Sequence, residues 1–576
     1  MDVLFTAFAN NRQDFLGSLS EEDDGVYRLL SSRAGSNFKI HRDSYATVGS
    51  LVEYLTLYRD DLRLFLFSGH AGRDRLFLED QEGGATGIAH LLGQCPRLQL
   101  VFLNGCSTDG QVRLLLEKGI PAVISTSAPV NDRVACEFSQ DFFRALSQYK
   151  TIEEAFDLAK GATLTRRDGY SIEKRGFELR EHLSDSSLWG LDYREEKAAA
   201  LDWKLPFSAP ADTTDSFEPN DFLLSALFDG LSPFDEEIRN YWEQEQNGAE
   251  VKMARKRIAI LNALPAPLSQ HLVKLLAPSL EEKDEGFNKP SEVRLRQMAR
   301  VFNVVMELTT YTLLSQLWEC FKGHDWLKCT AAQLDRIRDF FIIEKKERET
   351  CDLLPLIRAI REIFDENEVG YFIGELATLR QLIYEDPEFE HSYFFLQNLR
   401  VRTQERNIEL PEVNSLCLEG EKCLSYLMVK TGFLAKYNLT SVQGIDVVKF
   451  RHIEKARFNH KTVLLRDVLG DLEESRLDLE SPLDNYSVLL VNRENYQFLS
   501  LSPFIIDENA FLERADISKL YFFNHFNPQS GSFCFQYAAK PDDPVLDLSS
   551  SRVFGVIREQ FDAFRQLLET RTEVVS

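Results

Sequence analysis

The feature that most restricts the fold of this chain is a regular alternation over residues 1 to about 204. Short, almost continuously apolar runs alternate with stretches in which apolar residues recur at helical spacing. The apolar runs are residues 3–9, 63–68, 98–104 and 121–125, and the helical stretches are 50–59, 85–92, 111–118 and 133–147. Strands that are apolar on both faces are typical of a parallel sheet covered by helices. The sequence therefore predicts a doubly wound α/β domain at the N-terminus.

Changes in composition and in hydrophobic periodicity further along the chain predict its division into domains. Residues 205–215 read LPFSAPADTTD, and these Pro, small and polar residues interrupt every periodicity. We therefore predict an N-terminal domain at 1–205 and a linker at 206–219. Residues 220–400 are predicted to be mostly helical, with a regulatory or interaction role. Residues 401–576 are predicted to be α+β, with a sensor or interaction role.

Charge and composition exclude several classes of function. The 576 residues include 66 Lys and Arg against 91 Asp and Glu, a net charge of −25, which argues against a protein that binds nucleic acid or anionic lipid. The N-terminus has no basic segment and no run of eighteen apolar residues occurs, so we expect a cytoplasmic protein with no membrane partner. Phosphate-binding loops and dinucleotide fingerprints are absent, and no set of residues has the spacing of a metal site, so we expect neither a cofactor nor a metal.

Two strand ends carry the residue types of a nucleophile and its base. The run at 68–72 reads SGHAG and the run at 104–108 reads NGCST, which places His70 and Cys106 at the carboxyl ends of two predicted strands. In an open parallel sheet, ligands bind outside these ends. The two residues are 36 positions apart, which leaves room for one crossover connection between neighbouring strands.

The chemistry of this pair is that of a cysteine hydrolase. Cys106 precedes a predicted helix, whose N-terminus favours the thiolate, and His70 can remove its proton. Backbone N–H groups of Cys106 and of Ala71 or Gly72 can stabilise an oxyanion. The alternative for such a pair is a surface imidazole and a core thiol without a catalytic role.

The same segments resemble the CHAT family, caspase-like cysteine proteases related to the separases, over about residues 1–205. The matching segments are FSGHAG at 67–72, LNGCST at 103–108, GIPAVIST at 119–126, VND at 130–132, FFRAL at 142–146 and TIEEAF at 151–156. The resemblance implies a caspase-like α/β domain that hydrolyses peptide bonds through an acyl-enzyme on Cys106. Two positions depart from the family pattern: Ala71 stands where Gly is usual, and Ser127-Ala128-Pro129 replaces an aromatic segment.

Asp132 is the candidate for selecting the substrate. By resemblance to the separases, a carboxylate in this segment receives a basic side chain before the scissile bond, and a carboxylate in a cleft attracts Arg or Lys. The alternative is that Asn131 or Asp132 caps the helix that follows.

The resemblance also implies a biological setting. It suggests a cytosolic endopeptidase that is latent until a trigger or partner binds its C-terminal region, with a role in bacterial defence against phage. The expected substrate is a partner protein encoded nearby, such as a bacterial gasdermin or a CRISPR-linked factor. Two alternatives remain open: an inactive caspase-like scaffold, and a ligand-responsive binding protein that uses the basic patch at 451–461, which includes Arg451, His452, Lys455 and His460.

Overall fold

Buried strands flanked by helices form the first part of the computed structural model. The structure describes residues 1–10, 16–31, 33–34, 37–72, 74–105, 109–126, 132–167, 171–177, 189–206, 221–276, 287–323, 327–452, 454–465, 473–512 and 519–575. The chain folds as two compact units, Met1–Ala211 and Asp212–Ser576.

The N-terminal unit contains one large mixed sheet. Its strands are β1 (Val3–Ala9), β2 (Lys39–Asp43), β3 (Leu62–Gly69), β4 (Arg75–Phe77), β5 (Glu82–Gly84), β6 (Leu100–Asn104), β7 (Ala122–Thr126), β8 (Ile172–Phe177) and β9 (Trp189–Arg194). Among the described residues the large sheet has the order β2-β1-β3-β6-β7-β9-β8, and β4 pairs with β5 in a separate hairpin. Within the large sheet, the described strand pairs are parallel except for β7 with β9, and the hairpin of β4 with β5 is antiparallel. The predicted α/β fold class is confirmed.

Helices cover this sheet, and their apolar faces pack against its apolar side chains. They are α1 (Leu19–Ser31), α2 (Val48–Leu57), α3 (Ala85–Gly93), α4 (Asp109–Glu117), α5 (Asp132–Ser147) and α6 (Ile152–Arg166). Phe138 of α5 stacks on Trp189 with ring centres 4.6 Å apart, and Phe143 stacks on Phe102 at 5.8 Å. Aromatic pairs of this kind add to the apolar burial that holds α5 on the sheet.

The second unit begins with helices. They are α7 (Asp221–Leu231), α8 (Glu236–Gln246), α9 (Met253–Ala263), α10 (Ala266–Leu276), α11 (Glu292–Gly323), α12 (Ala331–Ile342), α13 (Lys345–Thr350), α14 (Leu354–Glu366), α15 (Leu379–Glu385), α16 (Pro387–Gln404) and α17 (Val413–Lys430). The helix α11 spans 32 residues and is buried along most of its length. A helix buried on all sides is typical of the centre of a domain.

Two antiparallel sheets follow the helices. Their strands are β10 (Tyr437–Val448), β11 (Arg457–Leu465), β12 (Glu473–Leu479), β13 (Val488–Asn492), β14 (Phe498–Ser500), β15 (Ile505–Asp507), β16 (Leu520–Asn527), β17 (Ser532–Tyr537) and β18 (Leu546–Asp547), with helices α18 (Glu508–Leu512) and α19 (Gly555–Val575). In the described part of the chain, the sheets have the orders β12-β11-β10-β13-β14 and β15-β16-β17-β18. The sequence prediction of a helical region followed by a region rich in strands is confirmed.

The helical and strand-rich segments share one hydrophobic core. This core runs from Leu223 on α7 to Leu568 on α19. Tyr311 of α11 donates its hydroxyl to the carbonyl of Phe523 on β16 at 2.5 Å, and its ring stacks on Phe504. Within the part of the chain that the structure describes, no helix is both long and apolar enough to cross a lipid bilayer.

Candidate active site

The strands that lead to His70 and Cys106 are direct neighbours. β3 and β6 pair in parallel, with Phe67 opposite Leu103 and Ser68 opposite Asn104. His70 follows Ser68 by two residues, and Cys106 follows Asn104 by two. His70 is half-buried at this edge. Cys106 itself lies outside the described residues, which resume at Asp109.

Glycines bring the two strand exits close together. Gly69 has φ +152°, and a Cβ there would lie 2.3 Å from the carbonyl oxygen of Ala9. A Cβ on Gly105 would lie 2.7 Å from both the Cβ of Ala71 and the carbonyl oxygen of Gly69. Only glycine permits such approaches of one backbone to another. The residue before Cys106 therefore packs against the two residues that flank His70.

A buried carboxyl forms hydrogen bonds to the ends of both strands. Glu22 on α1 is 2% exposed, and its Oε2 accepts a hydrogen bond from Ser68 Oγ at 2.8 Å. Its Oε1 accepts from Asn104 Nδ2 at 2.9 Å. Asn104 Nδ2 also donates to the carbonyl of Ala135 on α5 at 3.2 Å, which ties the strand end to a second helix.

The environment of Glu22 changes its acidity. Burial raises the pKa of Glu22 to about 7, although hydrogen bonds from Ser68 and Asn104 act in the opposite direction. The negative charge of Asp132 adds a smaller upward effect on the pKa. Buried carboxyls with raised pKa values are frequent at functional sites.

A second contact ties the segment after Cys106 to the loop after His70. Gln111 on α4 is 3% exposed, and its Nε2 donates to the carbonyl of Gly72 at 2.7 Å and to that of Arg75 at 3.2 Å. Thr126, at the end of β7, donates its hydroxyl to the carbonyl of Gly105. The His70 loop and the exit of β6 are therefore held by neighbouring elements on both sides.

The backbone donors proposed for an oxyanion differ in their availability. The N–H of Gly72 donates to the carbonyl of Arg75 at 2.9 Å, and Ala71 forms a bridge to Leu76 in the same small hairpin. Within the described residues, the N–H of Ala71 has no acceptor. Of the two loop donors predicted for an oxyanion, Gly72 is therefore engaged by Arg75, and the role of Ala71 stays a prediction.

The comparison with known families agrees with this geometry. Residues 5–203 match the family model of the CHAT domain. The match covers about a third of the chain and coincides with the N-terminal unit. The CHAT domain is caspase-like and usually related to proteases, so the match supports a protease in general. No curated protein matches the chain.

Asp132, the predicted selector of the CHAT domain, is the first residue of α5. Its Oδ2 accepts a hydrogen bond from the backbone N–H of Ser18 at 2.7 Å, directly before α1. The side chain is half-buried and its charge acts on Glu22. Asp132 therefore fixes the entry of α1 and contributes to an acidic edge; its role in selecting substrate stays a prediction. Asn131 lies outside the described residues.

Sequence reasoning missed Glu22 and Gln111. A signal for Glu22 exists, because Leu19, Glu22 and Val26 are spaced so that they share one face of α1. The acidic run at 21–24 hides it, since such runs are usually solvated. Gln111 carries no signal of its own, because its partners are backbone carbonyls.

One residue of the basic patch predicted at 451–461, His460, does not lie on the surface. His460 is fully buried in β11, where Nδ1 bonds to the carbonyl of Leu477 at 3.0 Å and Nε2 accepts from the N–H of Leu483 at 3.0 Å. Arg451, His452 and Lys455 are exposed. Alternate residues of a strand face opposite sides, so a patch that includes His460 was wrong.

One group of side chains outside the CHAT domain has donor atoms suited to a metal. His391 on α16 and Glu419 and Cys423 on α17 have ligand atoms within 4.8 Å of one another. His391 Nε2 lies 2.8 Å from Glu419 Oε1, and Cys423 Sγ contacts the same oxygen at 3.9 Å. These contacts form a hydrogen-bonded set between two helices, and the pKa of Cys423 is raised to about 12 by burial.

Proposed function

We propose that the chain is a cysteine endopeptidase in which His70 and Cys106 form a catalytic dyad. The observation that carries this proposal is the parallel pairing of β3 with β6 inside a CHAT domain, with Gly105 packed against the residues that flank His70. Equal offsets from paired residues and a close backbone approach support a base and a nucleophile within reach of each other.

The proposed reaction follows from these groups. His70 removes the proton of the Cys106 thiol, and the thiolate adds to the carbonyl carbon of the scissile peptide bond. The N–H groups of Ala71 and Cys106 stabilise the oxyanion. The C–N bond then breaks, the leaving amine takes the proton from His70, and a water molecule hydrolyses the thioester to release the acid and the free thiol.

We further propose that Asp132 favours substrates with Arg or Lys before the scissile bond. A carboxylate in a site from which water is largely excluded attracts a guanidinium or ammonium group strongly. The hydrogen bond from Ser18 occupies one oxygen of Asp132, which also fixes the direction of the carboxylate.

The remaining parts of the proposal rest on the family resemblance. We place the enzyme in the cytoplasm and in bacterial anti-phage defence, with a partner protein as substrate, such as a gasdermin or a CRISPR-linked factor encoded nearby. The second unit would keep the protease latent until a trigger binds, since caspase-like sites depend on loop order.

The test is N-terminal proteomics on cells that express the chain with the neighbouring genes of its native locus, with and without phage. Wild type is compared with Cys106→Ala and His70→Ala, and Cys95→Ala serves as a matched control that removes a buried thiol of the same unit. We expect new N-termini in the wild type and the control only, most of them after Arg or Lys. If the same termini persist in Cys106→Ala, or if none forms under any condition, the protease proposal is wrong and a scaffold role takes its place.

A further inference from the structure

The second unit contains a cavity of about 490 Å³ between its helices and its C-terminal strands. Helices α11, α13 and α16 form one wall, and β16, β17 and the segment after β17 form the other. Ligand pockets in proteins measure about 300–1,000 Å³ and occur where structural layers meet. Both the size and the position of this cavity are those of a small-molecule site.

The charge of the lining is opposite to the charge of the chain. Six cationic side chains line the cavity against four carboxylates, in a protein whose net charge is −25. The cations are Arg296, Arg300, Lys345, Arg348, Arg400 and Arg406. The carboxylates are Glu307, Glu349, Asp542 and Asp543. His271 adds no charge near neutral pH, because burial lowers its pKa to about 4.

Pairing inside the cavity leaves an excess of cations. Arg300 bonds to Asp542 at 2.6 Å and Arg348 to Glu307 at 2.5 Å, so these pairs neutralise each other. Within the described part of the chain, Arg296, Lys345 and Arg406 have no carboxylate within 4.0 Å. Arg400 is engaged by the protein itself, since it donates to Gln397 Oε1 at 3.2 Å, to the carbonyl of Glu349 at 3.1 Å and to the carbonyl of Cys351.

The cationic side chains of the lining differ in their exposure to solvent. Lys345 and Arg406 are exposed at the rim, Arg296 is half-buried, and Arg348 is buried. Guanidinium groups bind phosphate oxygens through two parallel N–H donors, and several of them can surround a doubly charged group. Phe522, Asn524 and Gln536 contribute to the strand wall, and Phe522 pairs with Gln536 across β16 and β17.

From this lining we infer that the cavity is a binding site for a phosphate-bearing small molecule of nucleotide size. The phosphates contact Arg296, Lys345 and Arg406, and the remainder of the ligand lies between the helical wall and the strand wall. The two walls come from the helical and the strand-rich segments, so a bound ligand contacts both. Such a ligand is a candidate for the trigger of the protease; that link rests on the proposed function, whereas the binding site does not.

The test measures binding to the full chain carrying Cys106→Ala, so that its result does not depend on proteolysis. Isothermal titration calorimetry at low ionic strength uses ATP, inorganic pyrophosphate and adenosine as probes. The test variant is Arg296→Gln with Arg406→Asn, since Arg406 has φ +55° and Asn tolerates that conformation. The matched control is Arg255→Gln on α9, an exposed arginine outside the cavity.

We expect ATP to bind, with at least about tenfold weaker binding in the double variant and unchanged binding in the control. If pyrophosphate binds as well as ATP does, the phosphate contacts are sufficient for binding. If ATP binds and pyrophosphate does not, contacts to the nucleoside are also required. The inference fails if neither phosphate compound binds, if the double variant binds as the control does, or if adenosine binds as tightly as ATP. Unfolding temperatures without ligand show that each variant is folded.

Discussion

Glu22 Oε1 accepts a hydrogen bond from Asn104 Nδ2 at 2.9 Å, and Asn104 stands two residues before Cys106. The second carboxylate oxygen accepts from Ser68, two residues before His70. One buried side chain of α1 therefore holds the ends of both strands that lead to the proposed dyad. Because burial raises the pKa of Glu22 to about 7, this link carries a proton under some conditions and a charge under others.

Glu22 should make the stability of the N-terminal unit depend on pH. Its pKa in the folded protein is about 7 against 4.5 for the ordinary group, so the folded state keeps the proton longer than the unfolded state. The stabilisation is fully present below pH 4.5 and is lost as the pH rises through 7, about 3 kcal/mol in all. Glu22→Gln is neutral at every pH and removes this loss.

Calorimetric unfolding of the full chain between about pH 4.5 and about 8.5 checks the prediction from linkage. The unfolding temperature of Glu22→Gln, relative to wild type, should rise across this interval. Asp60→Asn, which changes an exposed carboxyl of the same unit, should follow wild type. Parallel curves for Glu22→Gln and wild type would show that the carboxyl is ionised throughout.

Gln111→Ala should lower activity more than stability. The side chain supplies two hydrogen bonds to backbone carbonyls, whose loss costs about 1–3 kcal/mol of folding free energy. Release of the loop after His70 displaces the base, and small misplacements of reacting groups cost about 100-fold in rate. We expect kcat/KM on a peptide reporter to fall at least tenfold, while the free energy of unfolding falls by no more than about 1–3 kcal/mol.

The matched variant for Gln111 is Arg113→Ala on the same helix, where the exposed side chain pairs with Glu117 at 2.8 Å. Exposed pairs contribute about 0–1 kcal/mol, so neither activity nor stability should change measurably. Equal activity of Gln111→Ala and Arg113→Ala would show that this contact does not position the site.

The central strands of the N-terminal sheet could be predicted because their apolar runs are buried on both faces. β1, β3, β6 and β7 lie within two residues of the predicted ranges. The edge strand β2, with the sequence KIHRD, could not, because its burial depends on distant partners. Arg42 pairs with Asp23 at 2.8 Å and Asp43 accepts from Ser50 at 2.6 Å.

The same limit applies to the site. The positions of His70 and Cys106 at the ends of neighbouring strands follow from chain order and from the rule that ligands bind at the carboxyl ends of a parallel sheet. The role of Glu22 could not be predicted from the sequence. Its carboxyl lies on an apolar helix face, and its hydrogen-bond partners Ser68 and Asn104 are known only from the structure. In β11, the strand period of two places His460 inside and Lys461 outside. The sequence interpretation of 451–461 had grouped both on one surface.

The second unit should depend on a buried ion pair. Arg294 on α11 is fully buried and donates to Glu421 on α17 at 2.8 Å and to the carbonyl of Phe287 at 2.6 Å. Arg294→Met leaves the carboxylate of Glu421 buried without its cation, so urea unfolding should show a loss of about 3–5 kcal/mol. The double variant Arg294→Met with Glu421→Leu should regain most of that loss, because no charge then remains buried.

An additive result in the double variant, with both losses summed, would show that the two charges do not interact.

Gly105→Ala tests the close approach on which the proposed dyad depends. The new Cβ would lie 2.7 Å from the Cβ of Ala71 and from the carbonyl oxygen of Gly69, so the exit of β6 must move away from the His70 loop. Overpacking of this kind costs about 1–3 kcal/mol of folding free energy. A shift of about 1 Å between base and nucleophile lowers the rate about 100-fold, so kcat/KM should fall at least that far.

Gly161→Ala is the control, since a Cβ there meets nothing within 4 Å in the helix α6. That change should raise stability by about 0.5–1 kcal/mol and leave kcat/KM unchanged. If Gly105→Ala instead retains full activity at normal stability, the two strand exits are not packed as this structure has them, and the distance between His70 and Cys106 is set by other contacts.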